Sequence, residues 1–143
     1  MSGFLVLADG RAWSLATWAF DAALREIADA LPDDPGAAPL ATWLRDQQSD
    51  VVGLGMSYVD LRELTDDNRR RLIDAIPRAV DRARTHGGAH WHKPSFFPEW
   101  LTELEVLVRM VQAVERGDPP EALNPHMREL IPPTGNRSGP GWE

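Results

Sequence analysis

Gly3-Phe4-Leu5-Val6-Leu7-Ala8-Asp9-Gly10-Arg11-Ala12-Trp13-Ser14 is a pair of short, mostly apolar runs joined through Asp-Gly. Asp-Gly is a favoured two-residue hairpin turn, because both positions tolerate a positive φ. The stretch predicts a β-hairpin with strands over residues 3–8 and 11–14. The run from Phe4 to Ala8 has no basic segment before it and stops at Asp9-Gly10, so it reads as a strand and not as a signal peptide.

Beyond the hairpin the apolar period lengthens to that of a helix. From Thr17, a candidate N-cap, to Leu31, the residues Phe20, Ala23, Leu24, Ile27 and Leu31 share one face, while Asp21, Arg25 and Asp29 take the other. Pro32-Asp33-Asp34-Pro35-Gly36 ends this helix. A shorter helix is expected from Pro39 to about Gln47, with Leu40, Trp43 and Leu44 inward and Pro39 in the first turn, where proline is tolerated. Val51 to Val59 reads as a third strand, whose Gly53 and Gly55 mark a bulge or the close approach of another backbone. Thr65 caps a longer helix over about residues 66–85, with Leu72, Ile73, Ile76, Ala79, Val80 and Ala83 on its apolar face. Pro77 lies inside it and predicts a kink or break near residue 76. His86-Gly87-Gly88 closes that helix. A last one, from Pro98 to Arg116, would bury Leu101, Leu104, Leu107, Val108, Val111 and Val114 and stop at Gly117.

The element order β-β-α-α-β-α-α describes an α+β domain over residues 1–117. Its small, mostly antiparallel sheet would consist of the N-terminal hairpin plus one central strand, covered on one face by about four helices. Residues 118–143 hold six of the twelve prolines and read as an extended Pro/Gly-rich tail laid over the body, with one helical turn near Met127–Leu130. A chain of 143 residues can bury a core without staples.

Composition narrows the function classes. There is no cysteine, which excludes disulfides and Cys-based zinc sites and fits a reducing cytoplasm. No apolar run approaches the ~20 residues needed to cross a bilayer, so a soluble, cytoplasmic protein is expected. The net charge of −7 is uneven, at −6 over residues 1–60, +2 over 61–88 and −3 over 89–143. Such a balance repels nucleic-acid phosphates and favours a basic protein partner.

Six tryptophans stand beside a single lysine, and indoles are frequent anchors of binding surfaces. Trp91, Phe96, Phe97 and Trp100 crowd one ten-residue stretch that Pro94 and Pro98 stiffen. Together with Trp43 they are the candidate partner-binding residues. The structural alternative is a loop folded back to plug the core. His86, His90 and His92 form a second candidate, since three imidazoles within seven residues could ligate zinc or a similar divalent metal. Against it, Asp81 and Glu99, the nearest carboxylates, stand in no recognised relation to the histidines, and His90 and His92 could simply flank a partly buried Trp91.

Other motifs carry less. Gly53-Leu54-Gly55 lacks the third glycine of a dinucleotide loop. Arg69, Arg70, Arg71, Arg78, Arg82 and Arg84 alternate with Asp66, Asp67, Asp74 and Asp81 along one helix, as a solvated, self-paired face would, in preference to a phosphate-binding one. No serine shows a His-plus-acid partnership by spacing.

The sequence therefore points to a non-enzymatic, acidic protein-binding domain without cofactor, of the immunity or antitoxin kind that occludes a basic effector. The alternative is a metal-dependent enzyme or metal-binding module built on His86, His90 and His92. A homo-oligomer held by exposed tryptophans is a third possibility.

Overall fold

The hairpin strands are β1 (Ser2–Val6) and β2 (Ala12–Ala16), paired antiparallel with Phe4 opposite Ser14 and Leu5 opposite Trp13. This computed structural model describes residues 2–47, 58–91 and 93–118. The turn differs from the two-residue form expected of Asp-Gly. Leu7 N–H donates to the Arg11 carbonyl at 2.8 Å and Gly10 N–H to the Leu7 carbonyl at 2.9 Å, so Ala8, Asp9 and Gly10 form a three-residue loop. A two-residue type I′ turn needs positive φ at both positions. Gly10 has it, at 95°, but Asp9 does not. Asp9 is instead held by Arg11, whose backbone N–H and Nε donate to its carboxylate at 3.1 and 2.6 Å.

The chain passes from β2 into α1 (Thr17–Ala30) without a loop. Thr17 is consequently the first helical residue and not the cap; Ala16, still extended, occupies the cap position with no side-chain acceptor. Phe20, Ala23, Leu24, Ile27 and Leu31 are buried as their spacing requires. Helix α2 (Ala38–Asp46) buries Leu40, Trp43 and Leu44. The third strand, β3 (Tyr58–Asp60), pairs parallel with β1, Leu5 lying opposite Val59. Strand order is β2-β1-β3.

The α+β class is as expected; the sheet is mixed, with the longer antiparallel pairing beside a shorter parallel one, and β1 is its central strand. A tight turn forces β2 antiparallel, whereas a connection through helices carries no such constraint and can deliver β3 alongside β1 in the same direction. Residues 48–57, including Gly53 and Gly55, and the tail from residue 119 lie outside the described residues.

Helix α3 (Asp66–His86) begins as expected, Thr65 Oγ1 accepting the Asn68 N–H at 3.2 Å. It runs unbroken through Pro77. That proline is exposed, so its ring takes no room in the core. Helix α4 (Phe97–Arg116) ends at Gly117.

Helix α1 packs against the sheet, α2 and α3, and α4 against α3. One continuous hydrophobic cluster runs through all of them. Leu104 and Leu107 are fully buried, but Leu101, Val108 and Val114 only partly, and Met110 and Trp100 fill the space between. Two close approaches explain small residues in the sheet and beyond. A Cβ on Gly3 would stand 2.3 Å from the Phe20 ring, and one on Gly88 2.6 Å from the Phe97 ring. Arg11, itself buried, donates through Nη2 to the Asp118 carbonyl at 2.8 Å and so ties the end of α4 to the hairpin.

Beneath the sheet edge, Asp60 is fully buried and accepts from Arg62 Nε and Nη2 at 2.9 and 2.7 Å. These hydrogen bonds hold the Arg62 guanidinium charged above its ordinary range. Among the described residues, no helix is long and apolar enough to cross a membrane.

Candidate functional site

Three elements converge on one groove. From α1 come Trp18, Ala22 and Arg25, at i, i+4 and i+7, a stripe offset from the core-facing stripe of the same helix. The segment between α3 and α4 contributes His90, Trp91, Lys93 and Phe96. The groove encloses about 710 Å³, within the roughly 300–1,000 Å³ of ordinary ligand clefts.

Local sequence explains how that segment is aimed. Gly87 stops α3, and Gly88 follows with φ of 79°, a conformation that L side chains rarely adopt. The reversal is closed by the Trp91 N–H donating to the Gly88 carbonyl at 2.9 Å. Because Gly88 has no side chain, Phe97 can sit against its backbone. Pro94 then starts a single 3-10 turn, Pro94–Phe96, that runs directly into α4.

The aromatic residues form a graded stack from core to solvent. Trp100 is 3% exposed and donates its indole N–H to the Ala19 carbonyl at 2.9 Å. Trp91 meets Trp100 at 4.9 Å and Phe97 at 5.2 Å between ring centroids, in edge-on geometry, and is half-buried. Its outer side meets Trp18 at 6.2 Å, and Trp18 meets Phe96 at 5.6 Å. Trp18 and Phe96 are the outermost members, 53% and 43% exposed.

Of the five aromatic residues expected at a partner surface, the structure thus brings Trp91 and Phe96 together at the groove. Trp43, Phe97 and Trp100 are buried in the core. The loop plugs the core with Phe97 and Trp100 and leaves Phe96 exposed. Trp18 was not among the expected site residues. Its signal lay in the sequence, as a large apolar side chain off the core-facing stripe and one helical turn from Ala22 and two from Arg25.

His86 meets a carboxylate that spacing did not reveal. Glu26, on α1 and 8% exposed, accepts from His86 Nε2 at 3.2 Å, and Arg82 Nε lies 3.6 Å from its other oxygen. His86 Nδ1 accepts the Gly88 N–H at 3.0 Å, which places the imidazole proton on Nε2, facing Glu26. His90 packs edge-on against His86 with ring centroids 4.5 Å apart. A metal would need an imidazole nitrogen with an open lone pair, and that of His86 already holds the loop. His92 lies outside the described residues. Among the described residues, no three His, Cys, Asp or Glu side chains stand close enough to hold a metal ion.

Much of the basic face of α3 is ion-paired, within the helix and to its neighbours. Arg69 bonds Asp66 at 3.0 Å, Arg70 reaches Asp74 and, across to α4, Glu115 at 3.5 and 3.2 Å, and Arg84 pairs with Asp81 and Glu105. No family of known proteins, no curated protein and no solved structure matches the chain.

Proposed function

We propose that this is a non-enzymatic binding protein that grips another protein through the groove of Trp18, Trp91 and Phe96. One observation carries the proposal. Among the described residues, the two large apolar side chains left most exposed, Trp18 and Phe96, stand 5.6 Å apart on the same groove. Scattered exposed hydrophobics need no explanation, but a contiguous aromatic cluster in a concave site is characteristic of a contact surface. Trp91 backs the pair and is itself wedged on Phe97 and Trp100, so the walls are stiff and lose little freedom on binding.

Within this class, an inhibitor of the immunity or antitoxin kind, covering the working face of an effector, is the form we favour. The net charge of −7 would speed encounter with a basic effector, while the groove supplies the short-range grip. The test is co-purification with the protein encoded beside this one, followed by affinity measurement. A 1:1 complex should form, and Trp18→Ala with Phe96→Ala should weaken it at least tenfold. Substitution of Gln112, exposed on α4, should leave it unchanged. A complex indifferent to the groove substitutions overturns the proposal.

A further inference from the structure

We infer that the occupant of the groove is an acidic segment of the partner protein, in which a large apolar side chain is flanked by carboxylates. The inference rests on the binding proposal above and names the chemistry of what enters. Its basis is a local inversion of charge. The chain as a whole is at −7, yet among the described residues lining this groove there is no carboxylate, and the chain's single lysine, Lys93, lines it.

Lys93 decides the arrangement. Its Nζ lies 5.9 Å from the centroid of the Phe96 ring, so a carboxylate drawn to the ammonium sets the neighbouring side chain against an exposed aromatic face. An occupant lying against Phe96 comes within reach of the Lys93 ammonium and shields it in part from water. Burying a charge without a counter-charge is costly. A purely apolar segment would leave that cost unmet, and a basic segment would add repulsion to it. A segment carrying Asp or Glu beside Leu, Ile, Phe or Trp satisfies both halves of the site. The open form of the site, with rings on both sides still half-exposed, suits an extended segment more than an enclosed small molecule.

The experiment uses the full chain and three fluorescein-labelled nonapeptides. One has two leucines among glutamates, the second has lysines in place of the glutamates, and the third has serines in place of the leucines. Polarisation at low salt should give saturable binding of the first, at least tenfold tighter than either twin and weakening as salt rises. Lys93→Glu should cost the first peptide at least tenfold and favour the lysine twin. Trp18→Ala should weaken the first at least tenfold, while circular dichroism and melting confirm that both variants fold.

Equal or tighter binding of the lysine twin overturns the acidic occupant but spares the groove, provided Trp18→Ala still weakens it. Binding that ignores Trp18→Ala places the peptide elsewhere and removes the groove proposal as well. Absence of binding by all three peptides overturns the inference. So does tighter peptide binding on Trp142→Ala, which would make the chain's own Trp142-Glu143 the occupant. Concentration-dependent dimerisation abolished by Trp18→Ala would assign the groove to a second copy and has the same consequence.

Discussion

Trp18 and Trp100 meet the first turn of α1 from two sides, and their fates are opposite. Trp100 comes from α4, lies 3% exposed and spends its indole N–H on the carbonyl of Ala19, the residue beside Trp18. Trp18 belongs to α1 itself, is 53% exposed and, among the described aromatic residues, touches only the rings of Trp91 and Phe96. The same side chain therefore serves two ends within a few ångströms. Helical phase and a partner for the N–H decide which indole holds the fold together and which is left at its surface. Trp91, between them, couples the two.

That contrast can be broken most severely at Trp100. Trp100→Ala empties a core position and removes the indole hydrogen bond to the Ala19 carbonyl, so stability should fall by about 3–5 kcal/mol, read by urea denaturation. Gly88→Ala attacks the reversal that carries Trp91 into place. Its new Cβ meets the Phe97 ring at 2.6 Å in a backbone conformation at φ of 79°, and a loss of about 1–3 kcal/mol is expected. Trp91 fluorescence should shift with it.

A smaller change sharpens the contrast from the other end of the core. Burial alone would raise the Asp9 carboxyl. Hydrogen bonds from the Arg11 side chain and backbone, with the Arg11 charge, outweigh that effect and bring it below its ordinary value near 3.8. A depressed carboxylate contributes stability that is present above its unfolded value and is lost as pH falls through the folded one. Asp9→Asn takes the counter-charge from the buried Arg11 and should therefore cost about 1–2 kcal/mol at neutral pH, and the gap from the parent should narrow as pH falls below the ordinary value near 3.8, measured as melting temperature against pH. Trp18→Ala should change stability least, by about 0.5 kcal/mol, while removing most of the affinity for a groove ligand. If instead it unfolds the protein as Trp100→Ala should, the two indoles are equivalent and the contrast collapses.

Much of this was legible along the chain. The hairpin, the order of elements, the buried faces of α1, α2 and α3, the Thr65 cap and the stops at Gly87 and Gly117 follow from short-range patterns of two and 3.6 residues and from backbone preferences. What misled was also local. Asp-Gly permits a two-residue turn, but the Asp9 side chain found Arg11 and closed a longer loop. Pro77 stands in a helix interior, where proline removes a backbone hydrogen bond, yet α3 continues through it. The crowding of Trp91, Phe96, Phe97 and Trp100 located the right segment without telling its inner rings from its outer ones.

Local patterning, in short, determined which residues become strand or helix and which stripe of each faces inward, because those preferences act between neighbours in the chain. Three things needed the assembled fold: the parallel pairing of β3 with β1, the capture of His86 by Glu26, and the meeting of Trp18 with Phe96. Each joins residues more than fifty positions apart. Such contacts are chosen by which faces are left to bury once the helices have packed, and no period in the sequence encodes that choice.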